Sequence, residues 1–341
     1  MTRIGRRITV VGGCGHVGLP LGLVFAQRGF PVTLLDVDSG KIDMVNDSQM
    51  PFMERGASLL LREVVGKNLR ATADRECLRN TDVVITVIGT PVDKHLNPTV
   101  HELYRSIDGL LAYMNDGSLL ILRSTVSPGV TRLVHQRIQC RGRNIDLAFC
   151  PERIAEGNAI EEIAQLPQIV SAFDVRAMQR AREIFEAIAP TIIELEPLEA
   201  ELAKLFTNSW RYLNFAVSNQ FYMLATAHGL DVYRIHNAVT QEYPRMRAFA
   251  TAGFAAGPCQ VKDTLQLSAF SGNNFFLGHS AMLVNEGLPN FVVDQLRPHN
   301  LRDKTVAILG MAFKAESDDQ RDSLAYKLKK LLEVEAGRAL Y

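Results

Sequence analysis

The stretch ITVVGGCGHVGLPLGLVFAQRGFPVTLLD, Ile8–Asp36, decides the fold of this 341-residue chain. Ile8–Val11 is a β-branched run that reads as a buried strand. It leads into Gly13-Cys14-Gly15-His16-Val17-Gly18, a GxGxxG sequence, and then into an apolar helix ending near Gln27. Val32–Leu35 is a second strand, with Asp36 at its tip. Glycines in such a turn have three tasks: the turn is tight, backbone approaches a pyrophosphate, and the helix packs close on the strand. The helix N-terminus offers free N–H groups and a positive dipole end to phosphates. A carboxylate at Asp36 accepts both ribose hydroxyls and repels a 2′-phosphate, which favours NAD over NADP. Gly13, Gly15, Gly18 and Asp36 are therefore cofactor-binding candidates. His16 is expected to be a wall of this turn and not a catalyst, and Val17 beside it is a further cofactor-binding candidate.

Outward from this stretch, Asp82–Ile88, Leu119–Leu122 and Asp146–Phe149 read as further parallel strands, and Ile192–Leu195 closes the sheet. Each of the first three ends in a polar or proline-bearing turn. These are Gly89-Thr90-Pro91, Arg123-Ser124-Thr125-Val126-Ser127-Pro128-Gly129 and Cys150-Pro151-Glu152-Arg153. Thr-Pro and Ser-Pro also simply make turns. Ligands of a doubly wound sheet bind beyond the carboxyl ends of its strands, so Thr90, Ser124, Thr125 and Glu152 are expected on one rim.

The length implies two or three domains. A hydrophobic fraction of 47% and a charged fraction of 22% are those of a globular chain with sizeable cores. Lys plus Arg and Asp plus Glu are both 37, so net charge points to neither nucleic acid nor a membrane surface. Five scattered cysteines with no CxxC pair indicate neither a disulfide framework nor a metal site, and fit a reducing cytoplasm. Arg3, Arg6 and Arg7 before the uncharged run Ile8–Ala26 imitate a targeting segment, but glycines and Pro20 break that run into strand, turn and helix.

Pro197–His228 reads as one long helix. Lys204 and Asn208, at i and i+4, project from one face and can reach one ligand. Such a helix, rich in Phe, Tyr and Leu, is expected to serve as a homodimer interface, with a buried interdomain spine as the alternative. Asp231–Thr240, Asp263–Phe270 and Gly278–Leu296 are further helices, so this middle part is all-α. Within it, AGFAAGPCQVKD, Ala252–Asp263, reads as a tight loop carrying Cys259 with Lys262 and Asp263 close behind. A thiol beside a cation and a carboxylate suits covalent catalysis through sulfur, although free cysteine is also a small core hydrophobe. Arg245 and Arg247, just upstream, could hold phosphate or carboxylate or simply be solvated. Thr305–Leu309, a turn through Gly310–Lys314 with Arg321 and Ser323, and a closing helix read as the start of a second α/β unit, cut short.

Taken together these motifs resemble the UDP-glucose/GDP-mannose dehydrogenase family, the NAD-dependent nucleotide-sugar 6-dehydrogenases. The resemblance runs from Ile8 to about Ser323 in the family's order. It rests on Gly13–Pro20 with Asp36–Lys41, Gly89-Thr90-Pro91, Ser124–Gly129, Pro151-Glu152 with Glu156-Gly157, Lys204 with Asn208, Gly257–Asp263, and Gly310–Lys314 with Arg321. It implies a Rossmann-type NAD domain over 1–196, a central helical and dimerising domain over 197–299 that carries the cysteine, and a partial UDP-sugar-binding α/β domain over 300–341. The implied reaction oxidises a sugar C6 alcohol twice. Cys259 then resembles the nucleophile that forms a thiohemiacetal and a thioester, Lys204 and Asn208 the oxyanion site, Asp263 and Thr125 the pair that orders hydrolytic water, and Glu152 a further acid–base residue. Lys41, Thr90, Ser124 and Glu156 join the NAD contacts. Lys262, Arg245, Lys314 and Arg321 fall on the substrate side. Pro151-Glu152-Arg153 is closer to the branch that acts on UDP-N-acetylhexosamines, whereas Ala255, Ala256 and Pro258 stand where the family's cysteine loop is richer in glycine. Two other readings remain open at this stage: a 3-hydroxyacid-type dehydrogenase, which leaves Cys259–Asp263 unexplained, and an NAD-binding remnant without activity.

Overall fold

A computed structural model describes residues 5–88, 100–254, 257–314 and 317–341. The chain divides into two compact units, Met1–Lys204 and Leu205–Tyr341. The first alternates strand and helix: β1 (Ile8–Val11), α1 (Gly18–Gln27), β2 (Val32–Leu35), α2 (Ser39–Asn46), α3 (Ala57–Val64) and β3 (Leu69–Thr72). It continues through β4 (Val83–Thr86), α4 (Val100–Leu111), β5 (Leu119–Leu122), α5 (Val130–Cys140) and β6 (Asp146–Phe149). It closes with α6 (Ala159–Gln165), β7 (Gln168–Ala172), α7 (Val175–Phe185) and β8 (Ile192–Leu195).

The strands form one eight-stranded sheet in the order β3-β2-β1-β4-β5-β6-β7-β8. Every neighbouring pair is parallel except β6 and β7. Strand order reverses between β1 and β4, and the crevice at such a reversal is where a doubly wound sheet takes its ligand. Successive strand residues face opposite sides: Val10, Leu34, Ile85 and Ile121 enter one core, Val11, Leu35, Val84 and Leu120 the other.

Two strands are additional to those expected from the sequence. Residues 69–72 (LRAT) form β3 at the edge of the sheet, half exposed, and residues 168–172 (QIVSA) form the antiparallel β7. Neither has the unbroken apolar run that marks β1 or β5. The strand expected over Asp82–Ile88 is the shorter β4, Val83–Thr86.

The glycine turn after β1 is shaped by contacts within the chain. A Cβ on Gly13 would stand 2.7 Å from the Leu34 Cβ and from the Val10 carbonyl oxygen. One on Gly18 would meet the Gly12 carbonyl and lie 2.7 Å from the Gly13 Cα. Both distances fall well inside van der Waals contact, so glycine is required there for packing alone.

The second unit holds α8 (Pro197–Ala227) from Leu205 onward, α9 (Val232–Thr240), α10 (Gly257–Phe270), α11 (Phe276–Leu296), β9 (Thr305–Ala307), α12 (Leu324–Glu335) and β10 (Arg338–Leu340). Between residues 205 and 299 every described element is helical, as expected. The tail differs from expectation by one element: β10 pairs parallel with β9, completing a strand–helix–strand unit. Its helix is not left bare, because Leu328 and Leu332 of α12 pack with Val293 of α11 and Leu301.

Replacing Gly13 by alanine forces a methyl group against Leu34 and the β1 backbone. We expect Gly13→Ala to lose about 1–3 kcal/mol of stability, the usual range for overpacking, measured by urea denaturation.

Candidate active site

The rim of the first unit is built from the carboxyl ends of β1, β2, β5 and β6. Asp36, directly after β2, is half-buried and its carboxylate is already aimed by backbone. The Cys14 N–H donates to Asp36 Oδ2 at 2.8 Å, and the N–H groups of Val37 and Asp38 donate to Oδ1 at 2.8 and 3.2 Å. The second strand is thereby latched to the glycine turn. Around Gly15 the chain leaves space: a Cβ there would meet only the Gly12 carbonyl oxygen, at 3.6 Å. Packing does not demand glycine at this position, unlike Gly13 and Gly18, and backbone approach by a pyrophosphate does. The residues present therefore fit a dinucleotide. His16 packs against Phe52 with ring centroids 4.0 Å apart and the rings tilted by 33°, which suits a wall of the turn. Val17 precedes α1, and Lys41 lies in α2, whose first turn Asp38 caps through the Lys41 N–H at 3.1 Å. Lys41 Nζ also pairs with Asp38 at 3.8 Å. Thr90 lies outside the described residues.

Beyond β5 and β6 the chain makes a buried ionic knot. Arg123 directly follows the fully buried β5 and is itself 0% exposed. Its Nε donates to Glu152 Oε2 at 2.7 Å, with Nη2 on the same oxygen. Nη1 donates to the Cys150 carbonyl at 3.1 Å, Nη2 also donates to Gln168 Oε1 at 3.0 Å, and the guanidinium lies over the Phe185 ring. The other Glu152 oxygen accepts the Arg153 and Ile154 N–H groups at 2.7 and 3.1 Å. Glu152 thus has both oxygens engaged: it anchors the turn it sits in. Burial pushes the Arg153 guanidinium down from its ordinary value, partly offset by Glu152. Ser124 and Thr125 follow Arg123 and are half-buried, and Ser124 Oγ reaches the Thr86 carbonyl at 3.5 Å. Glu156 is half-buried in the turn before α6, where the next residue, Gly157, and Ala159 donate their N–H groups to buried Glu54 at 2.9 and 2.8 Å. Lys204, on the first three turns of α8, is half-buried at the end of this unit.

In the second unit the cysteine does not sit in a loop. Helix α10 starts at Gly257, so Cys259, Lys262 and Asp263 all lie on its first two turns. A proline is tolerated in a first turn, because the N–H it lacks has no helical acceptor there. Cys259 is exposed, Lys262 half-buried and Asp263 fully buried. Cys259 and Asp263 are i and i+4, on one helix face. Asp263 is joined to Asn208 of α8, whose Nδ2 donates to Asp263 Oδ2 at 2.5 Å. The residues expected to serve an oxyanion and a water are therefore direct partners. The Gly310–Lys314 turn also reaches this helix, because a Cβ on Gly257 would stand 2.9 Å from the Phe313 ring. Lys314 lies near that ring, 5.9 Å from its centroid. Arg321 grips Asp319 side-on, with Nε at 2.9 and 3.0 Å from its two oxygens and Nη2 at 2.6 Å from Oδ2. Arg245 and Arg247 are exposed around the short turn Pro244–Met246.

Arg123, Glu54 and Glu201 are absent from the candidates read off the sequence. A charged residue directly after an apolar strand was the one visible signal for Arg123. The glutamates give none, because their partners are backbone N–H groups far along the chain.

A parallel sheet with a glycine turn at its reversal point and a latched acidic residue on β2 defines a Rossmann-type, NAD-binding dehydrogenase. Residues 6–189 match the NAD binding domain of the UDP-glucose/GDP-mannose dehydrogenase family, and residues 198–286 match its central domain. The chain belongs to that family. It is 29% identical over 339 residues to the UDP-N-acetyl-D-mannosamine dehydrogenase of Pyrococcus horikoshii, covering 96% of this chain and 80% of the relative. It is 30% identical over 345 aligned positions to the UDP-glucose 6-dehydrogenase of Haloferax volcanii, covering 95% and 80%. The solved Pyrococcus horikoshii structure superposes with a TM-score of 0.90 at 27% identity, over 98% of this chain and 82% of that one. NAD is the family's cofactor, and the residues around Gly15 and Asp36 would hold it. Among the described residues no helix is long and apolar enough to cross a membrane.

Burial pushes the Cys14 and Cys150 thiols up to about 12. The charge of Asp36 adds to the effect at Cys14, and Arg123 opposes it at Cys150. Alkylation requires an accessible thiolate. At pH 8, iodoacetamide should label Cys140 and Cys259 in the native protein and reach Cys14 and Cys150 only in denaturant, as read by peptide mass spectrometry. Arg123→Met leaves Glu152 buried without its cation, and should remove about 3–5 kcal/mol of stability in chemical denaturation.

Proposed function

We propose that this chain is an NAD-dependent nucleotide-sugar 6-dehydrogenase that takes a UDP-sugar, of the N-acetylmannosamine or glucose kind, to its uronic acid. The observation that carries this reading is Cys259, exposed in the first turn of α10, with Asp263 one turn later and hydrogen-bonded to Asn208. A 3-hydroxyacid dehydrogenase has no use for that thiol, and membership of the nucleotide-sugar family accounts for it.

In this reading residues 1–196 hold NAD, residues 197–299 present the thiol, and residues 300–341 contribute to binding the nucleotide sugar. NAD, when bound, supplies the hydride acceptor. Cys259 adds to the C6 aldehyde left by the first oxidation and keeps that carbon in place for the second, which spares the enzyme from docking a hydrated aldehyde. Its place in a first turn, at the positive end of the helix dipole, favours sulfur as an anion. Lys204 and Asn208 stabilise the developing oxyanion. Asp263 and Thr125 order the water that converts the thioester to carboxylate and returns the thiol. Glu152, held by Arg123, orients the rim near C6. Lys262, Lys314, Arg245 and Arg321 grip the substrate, the last by exchanging Asp319 for phosphate.

The protein acts as a homodimer in this reading. Phe206, Trp210, Val217, Phe221 and Leu224 lie along α8 and are between 46% and 62% exposed, an apolar stripe of the kind that marks an interface. The scattered cysteines suit a cytoplasmic enzyme.

A screen of UDP- and GDP-sugars should give NADH with a UDP-sugar, two per sugar consumed, and Cys259→Ser should abolish it. A single NADH per turnover with a ketone product would exclude the proposal.

A further inference from the structure

Glu201, on the second turn of α8, is 1% exposed and ionisable, and the chemistry above gives it no part. Its carboxylate accepts two backbone N–H groups, from Gly129 at 2.6 Å through Oε2 and from Thr131 at 2.8 Å through Oε1. Those groups open α5, whose N-cap residue, Gly129, has no side chain with which to cap. A local serine or asparagine would satisfy them at little cost, and Ser127 stands two residues away. Here the cap comes instead from 72 residues downstream, through a carboxylate taken wholly out of water. Burying a charge is costly unless it is well hydrogen-bonded, so a capping role alone explains this arrangement poorly.

What the long-range cap achieves is a connection. On one side, Gly129 ends the loop that begins with Ser124 and Thr125. On the other, Lys204 lies one turn beyond Glu201. The neighbours of both ends share a core: Val126 and Val130 from the loop side pack in the same cluster as Ala200. Apolar contacts leave a helix free to slide or rotate by small amounts, whereas two short charge-assisted hydrogen bonds fix its register.

We propose that Glu201 is a positioning residue that locks the start of α8 to the Ser124–Gly129 loop, and so sets Lys204 against Thr125. The inference rests on the function proposed above, in which those two residues serve the same carbon. Glutamine at 201 retains one acceptor and turns an amide N–H toward the other backbone N–H, so the pair of bonds cannot be made.

The test uses the full chain with Glu201→Gln and Glu201→Asp. With the UDP-sugar that the parent oxidises, E201Q should lose at least tenfold in kcat while the KM for NAD stays within twofold, since the β1 turn is untouched. An acyl adduct on Cys259 should accumulate in the intact mass spectrum, because hydrolysis by the Thr125-ordered water is slowed. E201D, which keeps the charge, should recover part of the loss, and it carries the comparison if E201Q does not fold. A kcat within twofold of the parent, or a loss matched by the unfolded fraction, overturns the proposal. If the parent oxidises no nucleotide sugar, the function proposed above fails separately, and amide exchange decides on the lock. Faster exchange in E201Q confined to residues 124–131 and the first turns of α8 sustains it, and unchanged protection overturns it.

Discussion

Backbone N–H groups left over where strands end and helices begin must find acceptors, and in the first unit carboxylates from elsewhere in the chain provide them. Asp36 takes the Cys14 N–H in the glycine turn. Glu54 takes those of Gly157 and Ala159 beside Glu156. Glu152 takes those of Arg153 and Ile154, and Glu201 those of Gly129 and Thr131. Each acceptor pins a segment at the carboxyl edge of the sheet, which is the edge where a doubly wound fold binds its ligand. The rim is thus preorganised by fixed charges rather than by loop packing alone.

This arrangement has an electrostatic consequence. A rim held by carboxylates would repel an anionic cofactor unless the charges were spent on donors. Glu152 is neutralised by Arg123, whereas Asp36, held by backbone N–H groups alone, keeps the charge that selects against a 2′-phosphate. Arg123 bears the heaviest load, since it neutralises Glu152 while buried against Phe185 and Gln168. Its side chain ties β5, β6 and β7 together from within the sheet's edge.

The second unit solves a different problem, that of presenting a thiol while keeping its surroundings rigid. Helix α10 leaves Cys259 exposed at its start and buries Asp263 one turn deeper on the same face, where Asn208 of α8 donates to it. The loop before the cysteine is also hung on α8: Asn219 exchanges two hydrogen bonds with the Gly253 backbone, at 2.8 and 3.2 Å, and Ser218 donates to the Ala250 carbonyl at 2.7 Å. Asn285 of α11 completes that network through Asn219 and the Tyr212 carbonyl. With α12 packed on α11, the segment carrying Lys314 belongs to the same packed body as the cysteine helix.

Local sequence determined what depends on local geometry. The β1–α1–β2 run, its glycines, the acidic tip of β2 and the long α8 are written in short windows, because periodicity and turn chemistry act over a few residues. The edge strand β3 and the antiparallel β7 were not legible, since their short, mixed segments become strands only when a neighbour offers hydrogen bonds. The start of α10 is hidden in the sequence for a similar reason: small residues and a proline have the composition of a loop, and the helix they open is set by its packing. Pairings such as Arg123 with Glu152, Asn208 with Asp263, and Glu201 with Gly129 and Thr131 join positions between 29 and 72 residues apart. No window of sequence holds both partners, and only tertiary folding, which buries these groups and obliges each to find a partner, decides which of them meet.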